Sequence, residues 1–374
     1  MPKYRFTEIA INSTEKKKPT EADKETYIGL EHLDSGTLTV SRWGSEVAPI
    51  GEKLLMKKGD VLFGKRRAYQ KKVGIAPFDG IFSAHGMVLR PREEVITKEY
   101  FPLFISSDYF LNEAIRISVG SLSPTVNWKD LKDLTFNIPT IEEQRRITPL
   151  VWAAIKAKNA YKSLIQRTDD LVKSQFIEMF ADEAKRVRLD ELCLHFGDGD
   201  WIESKDQSEE GIRLIQTGNV GNGEYKDKDD KARYISEETF IRLGCTEVFP
   251  GDILISRLPD PIGRACIVPE MPKSITAVDC TIVRLKADVL STFFVNFTKT
   301  PMYTMQIDSF TTGSTRKRIS RANLGSVMVP VPDLTRQERF VSIAEQSDKS
   351  KFELQEAIVR IDNFIKSLIQ QDDN

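Results

Sequence analysis

Lys58-Gly59-Asp60-Val61-Leu62-Phe63 in the first half of the chain is answered by Pro250-Gly251-Asp252-Ile253-Leu254-Ile255 in the second. In both, a Gly-Asp turn signal runs straight into three strand-prone apolar residues. Gly59 and Gly251 are 192 positions apart. Working outward toward the C-terminus, Val119-Gly120-Ser121 corresponds to Thr312-Gly313-Ser314, Leu131 to Leu324, Pro139 to Pro332 and Gln144 to Gln337, each at an offset of 193. Toward the N-terminus, Ile28 and the Gly36 turn resemble Ile215 and the Gly223 turn, at 187. Tyr4-Arg5-Phe6-Thr7-Glu8-Ile9 resembles Val187-Arg188-Leu189-Asp190-Glu191-Leu192, at 183. Matches in one order with a slowly growing offset define a duplicated domain whose second copy carries a few extra loop residues. The period is too long for a solenoid. Two such copies can sit about a pseudo-two-fold axis, as the subunits of a homodimer do.

Each copy has two parts. The first ~140 residues read as mixed α+β. Val61-Leu62-Phe63, Ile81-Phe82, Met87-Val88-Leu89, Ile253-Leu254-Ile255, Cys266-Ile267-Val268 and Thr281-Ile282-Val283 are β-prone runs, with helical pieces at about 99–117 and 288–308. The last part reads as one long helix. Thr140-Ile141-Glu142-Glu143 is a capping box, and Asp333 is an N-cap behind Pro332. A 3.5-residue apolar repeat runs through Leu150, Ala154, Ala157, Tyr161, Leu164, Leu171 and Gln175. A second runs through Phe340, Ile343, Ser347, Lys351, Leu354, Ile358, Ile361, Ile365 and Leu368. Neither stripe is buried by its own helix, so the two are expected to pair as an antiparallel coiled coil. Pro149 either kinks the first helix or restarts it with Thr148 as N-cap.

The chain has 374 residues, 54 Lys+Arg against 55 Asp+Glu and 40% hydrophobic content. That excludes a disordered chain and a polycation, so nucleic-acid binding would need local basic patches. The start of the sequence lacks a secretory signal and no stretch matches a membrane span, pointing to the cytoplasm. Cys193, Cys245, Cys266 and Cys280 form no CxxC pair and read as small apolar residues rather than metal ligands. His32, His85 and His195 have no nucleophile or carboxylate at a diagnostic spacing.

The run Lys58–Lys72, the segment Gly120-Ser121-Leu122-Ser123-Pro124-Thr125-Val126-Asn127-Trp128 and the stretch Ile138 to Ile147 resemble the specificity (S) subunit of Type I restriction-modification enzymes. So do Gly197-Asp198-Gly199-Asp200-Trp201, Gln216-Thr217-Gly218-Asn219-Val220, Gly251-Asp252-Ile253-Leu254 and Val331 to Glu338. The resemblance covers nearly the whole chain. It implies target-recognition domains at 1–139 and 183–332 and spacer helices at 140–182 and 333–374, an α+β fold with two antiparallel coiled-coil helices and a pseudo-two-fold internal repeat. The implied function is reading a split, asymmetric target on double-stranded DNA, each domain taking one half. Two methyltransferase (M) subunits and restriction (R) subunits would act on that DNA, with S-adenosylmethionine, ATP and magnesium held on those partners and no cofactor on this chain.

The residues give their own reason to expect DNA contact. Lys53 to Lys72 hold eight basic residues and one acid, Asp60. Within it, Lys65, Arg66, Arg67, Tyr69, Gln70, Lys71 and Lys72 are candidate DNA-binding residues, since Arg can read guanine, Gln can read adenine and Lys supplies charge toward phosphate. In the second copy, Ser314, Arg316, Lys317 and Arg318 lie in a stretch of four bases with no acid. Ser121, Ser123, Trp201, Asn219 and Arg257 complete the set. Trp152, Phe176 and Phe180 are candidates for the face of the first helix gripped by partners. Against these readings stand an enzyme and a coiled-coil adaptor without sequence-specific DNA binding. The enzyme would need an Asn/Asp-Pro-Pro-aromatic motif, which Asn137-Ile138-Pro139-Thr140 does not supply, or a P-loop. The adaptor leaves both basic clusters unexplained.

Overall fold

The computed structural model describes residues 1–313 and 317–369. Its contacts divide the chain into unit 1, residues 1–161 with the chain from 356 onward, and unit 2, residues 162–355. In unit 1, β1 (Ala10–Ser13), β2 (Val61–Phe63), β3 (Val73–Ile75) and β4 (Met87–Pro91) form an antiparallel sheet in the order β1-β4-β2-β3. In unit 2, β5 (Cys193–Asp198), β6 (Ile253–Ser256), β7 (Ala265–Ile267) and β8 (Cys280–Leu285) repeat it as β5-β8-β6-β7. The internal repeat is thus one topology built twice.

The Gly-Asp pair makes the same turn in both units. Gly59 has φ 92° and Gly251 φ 87°, the left-handed region that a Cβ disfavours. The following carboxylate closes the turn and anchors the sheet. Asp60 accepts from the Lys57 amide at 2.8 Å and from Arg90 Nε and Nη2, both at 2.9 Å. Asp252 accepts from the Phe249 amide at 2.9 Å and from Arg284 Nε and Nη2 at 2.8 and 2.7 Å. A bidentate guanidinium is the strong form of this bond.

Each unit has a second sheet. In unit 1 it runs Lys16–Lys17, Lys53–Met56, Gly80–Phe82, Tyr27–Ile28, the last pairing parallel. In unit 2 it runs Tyr234–Ile235, Ile212–Ile215, Ser274–Thr276. Asp23 pins the edge strand of unit 1, accepting from Lys17 Nζ at 2.8 Å, the Thr20 amide at 2.8 Å and Thr20 Oγ1 at 2.7 Å. Chiefly through the Lys17 bond, and then Thr20, its carboxyl is lowered from 3.8 to about 2. A carboxyl depressed on folding stabilises the protein above its unfolded value and loses that effect as pH falls. Asp23 should therefore titrate near 2 in a carboxyl NMR titration, and its contribution should fade between pH ~4 and ~2. Titration at the ordinary aspartate value would contradict this.

The long helices are α1 (Ile141–Phe180) and α2 (Leu334–Ile369). Thr140 Oγ1 accepts from the Glu143 amide at 3.3 Å and Glu143 Oε2 from the Thr140 amide at 3.0 Å, the reciprocal capping box. Asp333 Oδ1 accepts from the Arg336 amide at 3.0 Å. One turn in, a buried glutamine ties each helix to its unit. Gln144 accepts from the Thr97 amide and donates to the Val95 and Pro139 carbonyls. Gln337 accepts from the Leu290 amide and donates to the Asp288 and Pro332 carbonyls. Pro149 neither ends nor restarts α1. The helix runs through it, and Thr148 Oγ1 is buried without a hydrogen-bond partner among the described residues, so it is no cap.

The helices pair as an antiparallel coiled coil. In unit 1, Lys158 Nζ lies 2.5 Å from Asp362 Oδ1, and Ile155, Ile365 and Leu368 join the core with Val151. In unit 2, Lys351 Nζ lies 2.6 Å from Asp169 Oδ1, while farther along α1 the Phe176 ring meets Phe340, earlier on α2, at 5.0 Å. The α2 seam is the expected one except that Ala344 is buried in place of Ile343. Part of the α1 seam is displaced by one position, while Ala154, Ala157 and Tyr161 stay half-buried. Val151, Ile155, Lys158, Ile165, Val172 and Phe176 turn inward while Leu150, Leu164 and Leu171 are exposed. Polar seam positions hid it, because Lys158 and Asp169 sit there as ion-pair partners rather than apolar knobs. Phe176 and Phe180 are not exposed grips. Both are fully buried among Phe293 and Phe340 in the unit 2 core. Trp152 is half-buried and donates to the Glu99 carbonyl at 3.1 Å.

Candidate nucleic-acid interface

Antiparallel pairing brings the C-terminal ends of β1 and β2 and the N-terminal ends of β3 and β4 to one end of the unit 1 sheet. The loop 64–72 rises from that end. Arg67 (φ 55°) and Lys71 (φ 50°) flank the 3-10 turn Ala68–Gln70 in the left-handed region. Non-glycine residues held there mark a loop whose shape is fixed by its surroundings. The Arg66 amide donates to the His85 carbonyl at 3.2 Å and the Arg67 amide to the Pro124 carbonyl at 2.7 Å. Arg67 Nε reaches Ser123 Oγ at 3.4 Å, and Arg66 bridges to Thr125. The loop 119–125, closed by the Val119–Thr125 bridge, therefore lies beside the basic loop.

Among the sequence candidates of unit 1, Arg66, Arg67, Tyr69 and Ser121 are exposed, and Gln70 and Ser123 are half-buried. Lys65 is half-buried, and burial, with a smaller effect from Lys16, lowers its ammonium pKa. Lys71 and Lys72 are spent inside the protein. Lys71 Nζ binds Asp108 Oδ1 at 2.7 Å, and this bond holds the Asp108 carboxyl below its usual range. Lys72 Nζ donates to the Leu30 carbonyl at 2.6 Å. They brace the loop that Arg66 and Arg67 crown.

The corresponding sheet end of unit 2 carries different chemistry. Arg264, at the position of Lys72, donates to the Thr217 carbonyl at 2.8 Å, as Lys72 does to Leu30. Asn219 is 5% exposed. Its Oδ1 accepts from the Gln216 amide at 2.9 Å and its Nδ2 donates to the Lys226 carbonyl at 2.9 Å. His32 makes the matching turn in unit 1, its Nδ1 accepting from the Gly29 amide at 3.0 Å. Asn219 thus builds a turn and leaves the exposed candidate surface. Arg257, at the position of Lys65, is also buried, 5% exposed, beneath Asp198 and Asp279. Trp201 is 72% exposed, and Lys317 and Arg318 are exposed. Ser314 and Arg316 lie outside the described residues. The candidate set leaves out Asp198 and Asp279 and holds Arg321 only as the fourth base of its basic stretch; the three gather around Arg257. The repeat register offered a signal for one of them: Asp279 stands where His85, a neighbour of Arg66, stands in unit 1.

Among the described residues there is no cluster of three His, Cys, Asp or Glu placed to hold a metal, and no helix long and apolar enough to cross a membrane. All four cysteines are free thiols, and burial raises the Cys266 thiol to about 12.

The duplicated sheet thus carries one braced basic loop at its end in unit 1 and a carboxylate-set group of arginines at the same end in unit 2. A family model described as the Type I restriction modification DNA specificity domain matches residues 6–156 and 181–360, one segment per copy. The chain belongs to that family. It is 24% identical over 185 residues to the Type I restriction enzyme EcoDI specificity subunit of Escherichia coli, a match spanning 48% of this chain and 41% of that subunit's own length. In fold it is similar to a chain from a structure describing complex assembly and conformational transition of the type I R-M system, with a TM-score of 0.60 and 20% identity over 99% of this chain and 96% of that one. It is also similar to the Type-I restriction-modification S subunit from M. genitalium, with a TM-score of 0.51 and 16% identity over 98% and 95% of the two chains.

Proposed function

We propose that the chain is the DNA sequence-recognition subunit of a Type I restriction-modification complex. It reads a bipartite, asymmetric target, one half per unit, and directs adenine methylation and restriction by partner subunits. The observation that carries this reading is that the same sheet end in both copies presents exposed guanidinium groups while the residues presenting them differ. One main-sheet topology with different tips fits two unlike half-sites. The chain itself is non-catalytic in this reading. Two M subunits, and R subunits in the full complex, supply the chemistry with S-adenosylmethionine, ATP and magnesium, in the cytoplasm of a prokaryote.

The test is a duplex-binding titration of the assembled methyltransferase complex across a salt series. Specific binding should fall with salt, with a slope of about 0.9 per phosphate contact. Binding without sequence preference would favour the adaptor reading, and methyl transfer by this chain alone would favour the enzyme.

The coiled coil offers the face for the methyltransferase subunits. In unit 2, Leu164 and Leu171 project outward one heptad apart, and in unit 1 Leu150 does the same. Leu164→Asp with Leu171→Asp should change the melting temperature of the isolated chain little, since about half or more of each residue is already exposed. The pair should abolish co-purification with the M subunit. Retained co-purification would place the partner on another face.

A further inference from the structure

Two carboxylates sit in the middle of the unit 2 arginines, where a surface meant only to hold phosphate would exclude them. Asp198 closes β5, Asp279 immediately precedes β8 and Arg257 immediately follows β6, so the sheet end itself brings the three together. The backbone fixes them further. The Arg257 amide donates to the Asp279 carbonyl at 2.9 Å, the Ile319 amide donates to the Arg257 carbonyl at 3.3 Å, and Thr281 Oγ1 donates to Asp198 Oδ1 at 3.3 Å. Arg257 is the buried hub. Its Nη2 donates to the Val278 carbonyl at 2.7 Å, and its Nε is buried with no hydrogen-bond partner among the described residues. Its guanidinium lies 3.5 Å from Asp198 and 4.0 Å from Asp279. Arg318 shares Oδ1 of Asp279 with Arg257, at 3.6 Å, and Arg321 lies 3.7 Å from the other oxygen of Asp198, Oδ2.

These spacings decide what the cluster can do. They are close enough for ion pairing and too long for hydrogen bonds. The two outer guanidiniums are therefore oriented without spending their donors, and about half of each side chain is exposed, 52% for Arg318 and 50% for Arg321. The Thr312–Arg318 bridge and the Ser320 cap of the short helix Arg321–Gly325 fix the backbone beneath them. The two aspartates offset most of the charge of the three arginines they touch, so this group is by itself a poor phosphate clamp. A pre-aimed guanidinium fork with open donors suits the O6 and N7 acceptors of guanine in the major groove. Among the described residues unit 1 has no equivalent. By the shared bridge, Thr125 stands at the position of Arg318.

We infer that Asp198 and Asp279 are positioning residues that aim Arg318 and Arg321 at the guanine edge of a G·C pair in the half-site read by unit 2. The inference rests on the DNA-reading function proposed above and adds the base and the residues that select it.

The test uses the assembled methyltransferase complex and a duplex carrying its target, as fixed by methylation mapping. Each guanine of the unit 2 half-site is replaced in turn by 7-deazaguanine, which lacks the N7 acceptor. One replacement should weaken wild-type binding about 10-fold. Arg318→Ala or Arg321→Ala should weaken target binding by a similar factor and remove the sensitivity to that replacement. Asp279→Asn and Asp198→Asn should each cut discrimination between target and non-target duplex about 10-fold. Affinity for non-target DNA should hold or rise, because a negative charge has gone. Asp279→Glu should recover part of the discrimination. A merely structural role would instead lower both affinities together with the melting temperature, and that result overturns the inference. So does selective binding that ignores every 7-deazaguanine in that half-site. A complex with no sequence selectivity at all would overturn the DNA-reading function, and this inference with it.

Discussion

Gln337→Met is expected to lower the melting temperature of unit 2 by about 10 °C, with a cost of about 3–5 kcal/mol. The substitution keeps the side-chain volume, so the loss comes from hydrogen bonds rather than from a cavity. Gln337 is fully buried. It accepts from the Leu290 amide at 3.0 Å and donates to the Asp288 and Pro332 carbonyls, both at 2.9 Å. Methionine removes the partner of one amide and two carbonyls, the Pro332 carbonyl buried and the other two groups half-buried, and a stranded group costs about 1–3 kcal/mol where it is fully buried. Those groups join the α2 start to the segment leading into the helix Ser291–Thr298, so the damage falls on the joint between recognition domain and coiled coil. Gln144 makes the same three bonds in unit 1, at 2.7, 2.9 and 2.8 Å, and Gln144→Met should have a matching effect there. Thermal unfolding followed by circular dichroism checks both. A shift under about 2 °C would mean that water or a local shift satisfies the three groups.

Arg66→Ala and Arg67→Ala are the largest expected losses in binding, about 1–3 kcal/mol for whichever of the two reads a base. The loss should be confined to base changes in the half-site of unit 1. A loss uniform across sequences, with a salt slope flatter by about one, would make the residue a phosphate contact instead. Arg67 permits a sharper control. Its backbone is held at φ 55°, where glycine is at ease and alanine is strained by about 1 kcal/mol. Arg67→Gly should therefore lose the side chain's binding without the backbone penalty of Arg67→Ala. Equal thermal stabilities of the two variants would contradict the strained-loop account. Lys71→Ala should act indirectly, since Lys71 is tied to Asp108 and braces the loop.

What could be read from the sequence was whatever is local or repeated. The Gly-Asp turn was legible because its glycine and its carboxylate are adjacent and the same turn occurs twice. The helix starts were legible because Thr140–Glu143 and Asp333 are local caps. The seam of α1 was not, because two of its positions are the charged Lys158 and Asp169, whose partners Asp362 and Lys351 are about 200 residues away. The apolar spacing of Leu150, Leu164 and Leu171 traced an outward stripe instead. Phe176 and Phe180 read as exposed aromatics for a similar reason, since the rings that bury them come from Phe293 and Phe340. At the candidate interface, Arg66 and Arg67 were found as part of a continuous basic run. The Asp198–Arg257–Asp279–Arg321 group was largely invisible, because the sheet assembles it from four separate strand ends and turns. A run of charge also fails to show which lysines are spent internally, as Lys71 and Lys72 are.

The most direct test is single-molecule methylation mapping of DNA modified by the complex that contains this chain. The account predicts one motif made of two specified blocks of unlike sequence separated by a fixed run of unspecified base pairs, with Arg66→Ala degrading one block and Arg318→Ala or Arg321→Ala the other. A single uninterrupted motif, or variants of both units degrading the same block, would contradict it.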